Sequence, residues 1–202
     1  MALLTYEFNA FIQTENLIAQ NLSERYTQEM IVNYLDLRKK WTWVVYVFSP
    51  IILYVSTLLI ALVIIFVIDL YYLNINKQNI KFGEEWKVVL MSQWTAIAAM
   101  FSKIIWFGFY QDNYTLEEVQ TFYPLSIINL IDKETLDSWL RYPIQLINLY
   151  ELLYWIILIA GIKKLLQCSW LRSIIITFLS YGVILLIWII IIMFITLNMS
   201  QI

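Results

Sequence analysis

From Trp41 to Ile68 the chain carries no charged residue, and from Ser173 to Ile202 it again carries none. A bilayer core is about 30 Å thick and takes about 20 mostly apolar residues in a helix. Both stretches therefore predict membrane-crossing helices, over about 44–70 and 173–198. Two weaker apolar runs lie between them. One covers about 88–110 and is interrupted by Lys103; the other covers about 143–164 and is interrupted by Glu151. Tryptophans mark the boundaries. Trp41 and Trp43 open the first span, Trp86 and Trp106 bracket the second, and Trp139 and Trp170 stand outside the third and fourth. An indole favours the interface because its ring is apolar while its N–H wants a polar partner. Pro143 suits the first turn of the third span, where a missing N–H costs nothing.

The stretch 119–131 (VQTFYPLSIINLI) is apolar but too short to cross, in the range of re-entrant or interfacial segments. Thr115 and Glu118 have capping-box spacing, which predicts a helix start before LEEVQTFY, and Pro124 should break that helix. A short amphipathic piece follows over 133–141, with Leu136, Trp139 and Leu140 on one side.

Residues 1–40 are of mixed polarity and hold no apolar core of a signal peptide and no myristoylation pattern. Leu4, Phe8, Phe11 and Ile12 fall at helical spacing, as do Met30, Ile31, Tyr34 and Leu35. They predict two amphipathic helices, lying either on the membrane or against the rest of the protein. Arg38, Lys39 and Lys40 directly precede the first span and place this N-terminal region in the cytoplasm. Residues 41–202 form the transmembrane domain.

The expected fold class is thus an all-α polytopic transmembrane bundle with four long spans, a short re-entrant or interfacial segment and N-terminal amphipathic helices. Composition agrees. Of the 202 residues 61% are hydrophobic and 14% charged, against about 25% charged in soluble domains. There is no His and one Cys, Cys168. Histidine general bases, histidine metal ligands, an intrachain disulfide and cysteine zinc sites are all excluded. The net charge of −2 gives no nucleic-acid footprint. No cofactor and no metal are expected, and the absence of His argues against an enzyme.

Lys103 and Glu151 are the charges expected inside spans. Such a group costs about 2.5–3.5 kcal/mol on insertion scales and so faces the protein interior and finds a partner. With four spans the two helices run antiparallel and the two charges fall at similar depth; a fifth span at 119–131 would separate them by about 10 Å. Loop charges lean slightly toward five spans, since four divide the remaining Lys and Arg six against six and five divide them seven against five, whereas the pairing of Lys103 with Glu151 favours four. Ser92, Ala96, Ala99 and Lys103 form a small-residue face on the second helix, and Gln145, Asn148 and Glu151 a polar stripe on the third. The pair reads either as a structural clasp or as a proton- or solute-handling site. The re-entrant break at Pro124 keeps transport open, because irregular backbone at membrane depth needs protein or a water-filled cavity around it.

The segments FGEEWKVVLMSQWTA, INLYELLYWIILIAGIKKLLQCSW and SIIITFLSYGVILLIWIII, within 82–194, resemble the Yip-type (Ypt/Rab-interacting protein) membrane domain family, especially its bacterial branch. The resemblance covers roughly half the chain and implies membrane helices, usually five, with a cytosolic N-terminus and no catalytic residues to transfer. It implies a non-enzymatic accessory or assembly subunit of a membrane complex in the bacterial inner (cytoplasmic) membrane. Its partners would be the lipid bilayer and a protein partner or a second copy. The alternative is a small transporter or permease subunit using Lys103 and Glu151. A reporter fused after Ile202 reads cytoplasmic if four spans follow a cytoplasmic N-terminus; a signal from the opposite face of the membrane contradicts it.

Overall fold

The structure is a computed structural model that describes residues 8, 12, 14–23, 26–71, 81–111, 113–131 and 136–199. Leu4, Phe11 and Lys133 lie outside the described residues. Among the described residues the ordered elements are helices, joined by one isolated antiparallel bridge between Ser126 and Asn148. They are α1 (Thr14–Ser23), α2 (Gln28–Tyr71), α3 (Phe82–Ser92), α4 (Trp94–Phe109), α5 (Leu116–Thr121), a 3-10 turn (Ile127–Leu130), α6 (Ser138–Leu146), α7 (Leu149–Leu166), α8 (Trp170–Thr177), a π-turn (Phe178–Gly182) and α9 (Val183–Met199).

Among the described residues three helical stretches are long and apolar enough to cross a membrane: Gln28–Tyr71, Phe82–Phe109 and Trp170–Asn198. Apolar helices of this length suggest an integral membrane protein. The first is a continuous helix of 44 residues, about 66 Å long at 1.5 Å per residue. The boundary expected after residue 40 falls inside it. Pro50 also lies inside it and withholds one N–H from its hydrogen-bond ladder. The second joins α3 and α4 across Gln93, whose backbone stays helical (φ −64°, ψ −16°). It starts at Phe82, six residues before the expected 88, and so takes in Glu84 and Glu85.

The third expected span, 143–164, is not one helix. Its residues are divided between α6 and α7, with Ile147 and Asn148 out of the helical conformation between them. Pro143 falls in the middle of α6 and not in a first turn. The segment 119–131 is likewise divided: α5 ends at Thr121, Pro124 and Leu125 form a turn with Leu125 at φ 55°, and the 3-10 turn follows. The Thr115–Glu118 capping box forms in full, with each side chain bonding the other residue's backbone N–H.

The described residues divide into two compact units. One holds the residues up to Tyr54 together with Ala99–Pro124; the other holds Val55–Ala98 and the residues from Leu125. In the first unit Phe8, Ile12, Phe107 and Val119 form a buried cluster, edged by Leu17, Tyr114 and Phe122. Phe107 meets Tyr114 and Phe122 edge to face, with ring centroids 5.2 and 5.3 Å apart. Of the amphipathic pattern expected for 1–40, Phe8 and Ile12 therefore pack against protein. On α2, Ile31 is buried, whereas Met30 and Tyr34 are exposed.

In the second unit Ile60, Ala61, Ile64 and Ile68 of α2 pack with Val89 of α3, Leu158 and Ile162 of α7 and Ile176 of α8. The α3–α7 contact is the closest. A β-carbon on Gly161 would fall inside the van der Waals shell of Val88 Cγ1, so Gly161 lets the two backbones approach as small residues do in membrane bundles. Gly161→Ala should lower the thermal unfolding midpoint in detergent, corresponding to about 1–3 kcal/mol of overpacking. The double variant Gly161→Ala/Val88→Ala should recover most of that loss. An unchanged midpoint in the single variant contradicts the close approach.

Candidate functional site

The break between α6 and α7 organises the polar residues of the second unit. Asn148 is extended (φ −142°, ψ 162°) and caps α7: its Oδ1 accepts from Glu151 N at 2.7 Å. Its amide donates to the carbonyls of Gln145 at 3.0 Å and Leu146 at 3.1 Å, at the end of α6. One side chain thus satisfies backbone groups on both sides of the interruption, which a helix end needs most where water is scarce. Ser126, 5% exposed, completes the junction. Its hydroxyl lies 3.0 Å from the Gln145 carbonyl, and main-chain bonds join Ile127 N to the Ile147 carbonyl at 3.1 Å and Leu149 N to the Leu125 carbonyl at 3.2 Å.

Gln145, Asn148 and Glu151 therefore do not form a stripe along one helix. Gln145 ends α6, Asn148 stands in the gap, and Glu151 lies in the first turn of α7. Glu151 thus sits near one end of its helix and not close to its middle. Its Oε1 accepts from Trp155 Nε1 at 2.9 Å and from the Tyr181 hydroxyl at 2.8 Å. Trp155 is one turn along α7; Tyr181 comes from the π-turn. Tyr181 also packs on Tyr154, centroids 4.6 Å apart, and edge-on to Trp155 at 5.4 Å. Gly182 leaves room for the indole, since a β-carbon there would stand 3.0 Å from Trp155 Cη2.

Beside these residues an open groove of about 600 Å³ runs along the start of α7. Its walls are almost wholly apolar, with Leu125, Ile147, Leu152, Ile156 and Phe178 among them, and Asn148 and Glu151 supply its polar groups. The volume lies within the range of small-molecule clefts, about 300–1,000 Å³.

Lys103 belongs to the first unit, on α4. Its ammonium donates to the Val119 carbonyl at 2.6 Å and stands 5.9 Å from the centroid of the Phe8 ring. The acceptor is in the last turns of α5, where helical carbonyls lack intrahelical donors and a lysine is favoured. Each of the two charges expected inside spans thus has a partner within its own unit. Pro124 occupies the turn after α5, at the edge of the first unit.

Tyr181, Trp155 and Ser126 have no place in the sequence expectations. A signal existed for the junction itself: Asn148-Leu-Tyr-Glu151 has the spacing of Thr115–Glu118, a helix start directly before an apolar run. No protein-family model matches the chain, and no curated protein and no solved structure matches it either.

The Glu151–Tyr181 bond ties the start of α7 to the π-turn. Glu151→Gln and Tyr181→Phe should each lower the thermal midpoint, each worth about 1.5–3 kcal/mol if the carboxylate is charged. The double variant should fall short of the summed losses by more than about 0.5 kcal/mol. Strict additivity in that double-mutant cycle contradicts the bond.

Proposed function

We propose that the protein is a non-enzymatic integral membrane protein acting as an assembly or accessory subunit of a membrane complex. The observation that carries this reading is how the intramembrane charges are used. Glu151 is engaged by Trp155 and Tyr181, and Lys103 by the end of α5. Charges held in this way fit structural clasps, each internal to a unit. The large apolar surface fits the same reading. Leu186, Ile187, Trp188, Ile190 and Phe194 on α9 and Leu62 and Phe66 on α2 are all exposed, and such faces need lipid or a partner helix against them.

In this reading α7 is a fourth crossing helix. Its 18 residues give about 27 Å, close to the hydrocarbon thickness. Its charges lie at the ends, Glu151 in the first turn and Lys163 and Lys164 in the last. The turn around Pro124 and the 3-10 turn would be the re-entrant segment, with the N-terminus cytoplasmic and the membrane the bacterial inner membrane. The resemblance to the Yip-type family, carried by the three sequence segments quoted above, points the same way.

The alternative is a transporter or permease subunit using Lys103 and Glu151. The groove beside Glu151 is the feature that favours it. Purification in mild detergent should yield the chain with a stoichiometric membrane partner, and Glu151→Gln and Lys103→Met should reduce the amount of folded protein. A lone monomer stabilised by an added solute, with variants that fold but lose uptake, overturns the subunit reading in favour of transport.

A further inference from the structure

Glu85 plays no part in the site above or in the function proposed from it. It lies in the first turn of α3, and its side chain is 0% exposed. Neither carboxyl oxygen has a hydrogen-bond partner among the described residues. This is the opposite of Glu151, whose carboxylate is held by two donors.

The groups around Glu85 do not neutralise a charge there. On its own helix stand Glu84 and Lys87, with Lys81 just before. α2 brings Asp69, an exposed carboxylate whose charge acts on Glu85 and opposes a second negative charge. The same helix touches α3 at Thr57, whose Oγ1 accepts from Trp86 Nε1 at 3.3 Å. α7, packed along α3, carries Glu151, Tyr154, Lys163 and Lys164. The Lys163 ammonium lies over the Trp170 ring, 4.5 Å from its centroid. The ion pair found among the described residues is Lys39–Glu15, which leaves Glu85 without a basic partner.

Two effects compete at this carboxyl. The helix N-terminus favours the charged form, but its reach is one turn and its strength modest. Complete burial without a donor or a cation disfavours the charged form far more strongly, and a group in that position takes up a proton. A metal ion does not fit: hard cations want several oxygen ligands, and no cluster of three acidic, cysteine or histidine side chains occurs among the described residues.

We infer that Glu85 is a proton-binding site in the helix packing of the second unit, occupied as the neutral acid at neutral pH. The exchange is a simple one: hydronium gives its proton to the Glu85 carboxylate and leaves as water, and the reverse step returns it. Glu85 is the fourth residue of the 28-residue helical stretch Phe82–Phe109, about 4.5 Å along the axis from its first residue. Packing of α3 on α7 and α2 would then respond to whether the proton is present.

Infrared difference spectra of the full-length protein against Glu85→Gln at neutral pH test the assignment. The expected difference is loss of a protonated-carboxyl carbonyl band. Loss of a carboxylate antisymmetric band instead overturns the inference. The wild-type chain gives a second reading should Glu85→Gln fail to fold. Dicyclohexylcarbodiimide adds to protonated carboxyls in apolar surroundings, so peptide mass analysis should find the acylurea adduct on Glu85 at neutral pH, diminishing as the pH is raised. A Glu85 peptide that stays unmodified at neutral pH overturns it.

Discussion

Main-chain groups at membrane depth must find partners within the protein, because lipid offers none. At the junction between α6 and α7 the chain meets the same demand by its own side chains and main chain. Two residues there leave the helix, and the carbonyls and N–H groups they release are taken up by Asn148, by the Ser126 hydroxyl and by main-chain bonds to Leu125 and Ile127. The position of Glu151 follows from this repair. Because α7 starts at Leu149, Glu151 falls in a first turn, where a carboxylate is favoured and can reach both Trp155 and Tyr181. The groove lies at the same place, with Leu125, Ile147 and Asn148, all outside the helices, forming part of its wall.

Two of the three long apolar stretches were legible in the sequence because the charge-free runs 41–68 and 173–202 leave little choice of structure, and the remaining one was read through Lys103 with its start placed six residues late. The Thr115–Glu118 cap was legible because its chemistry is local. The division of 143–164 was harder to read. Apolarity continues through Leu146, Ile147 and Leu149, and the break is announced only by the Asn148–Glu151 spacing, easily taken as two members of a polar stripe. The partners of Glu151 were out of reach for another reason. Tyr181 is 30 residues away, and nothing in a single sequence links the two. Glu85 was hidden by a boundary: with a helix beginning at 88 it reads as a loop charge, whereas a start at Phe82 carries it into the packed interior.

Two acids of the second unit, the half-buried Glu151 and the buried Glu85, show how little residue type decides. Glu151 receives two hydrogen bonds and acts as a fastener; Glu85 receives none. The difference lies in what stands opposite each of them. Trp155 and Tyr181 present N–H and O–H donors to the first, while among the described residues none bonds the second.

The π-turn at Phe178–Gly182 gains meaning beside the interruption at Ile147–Asn148. α8 packs against α7, and α9 packs against α6, with Trp188 Nε1 bonded to the Tyr142 hydroxyl at 2.7 Å. The continuous helical run thus faces a partner that is in two pieces. An ordinary helix advances about 100° per residue and would carry a single angular phase from end to end. A π-turn takes more residues into one turn, so the stripe before it and the stripe after it differ in phase. One side of this packing leaves the helix at Ile147 and Asn148, and the other changes its winding at Phe178–Gly182, so each departs from regular helix along the same stretch of contact.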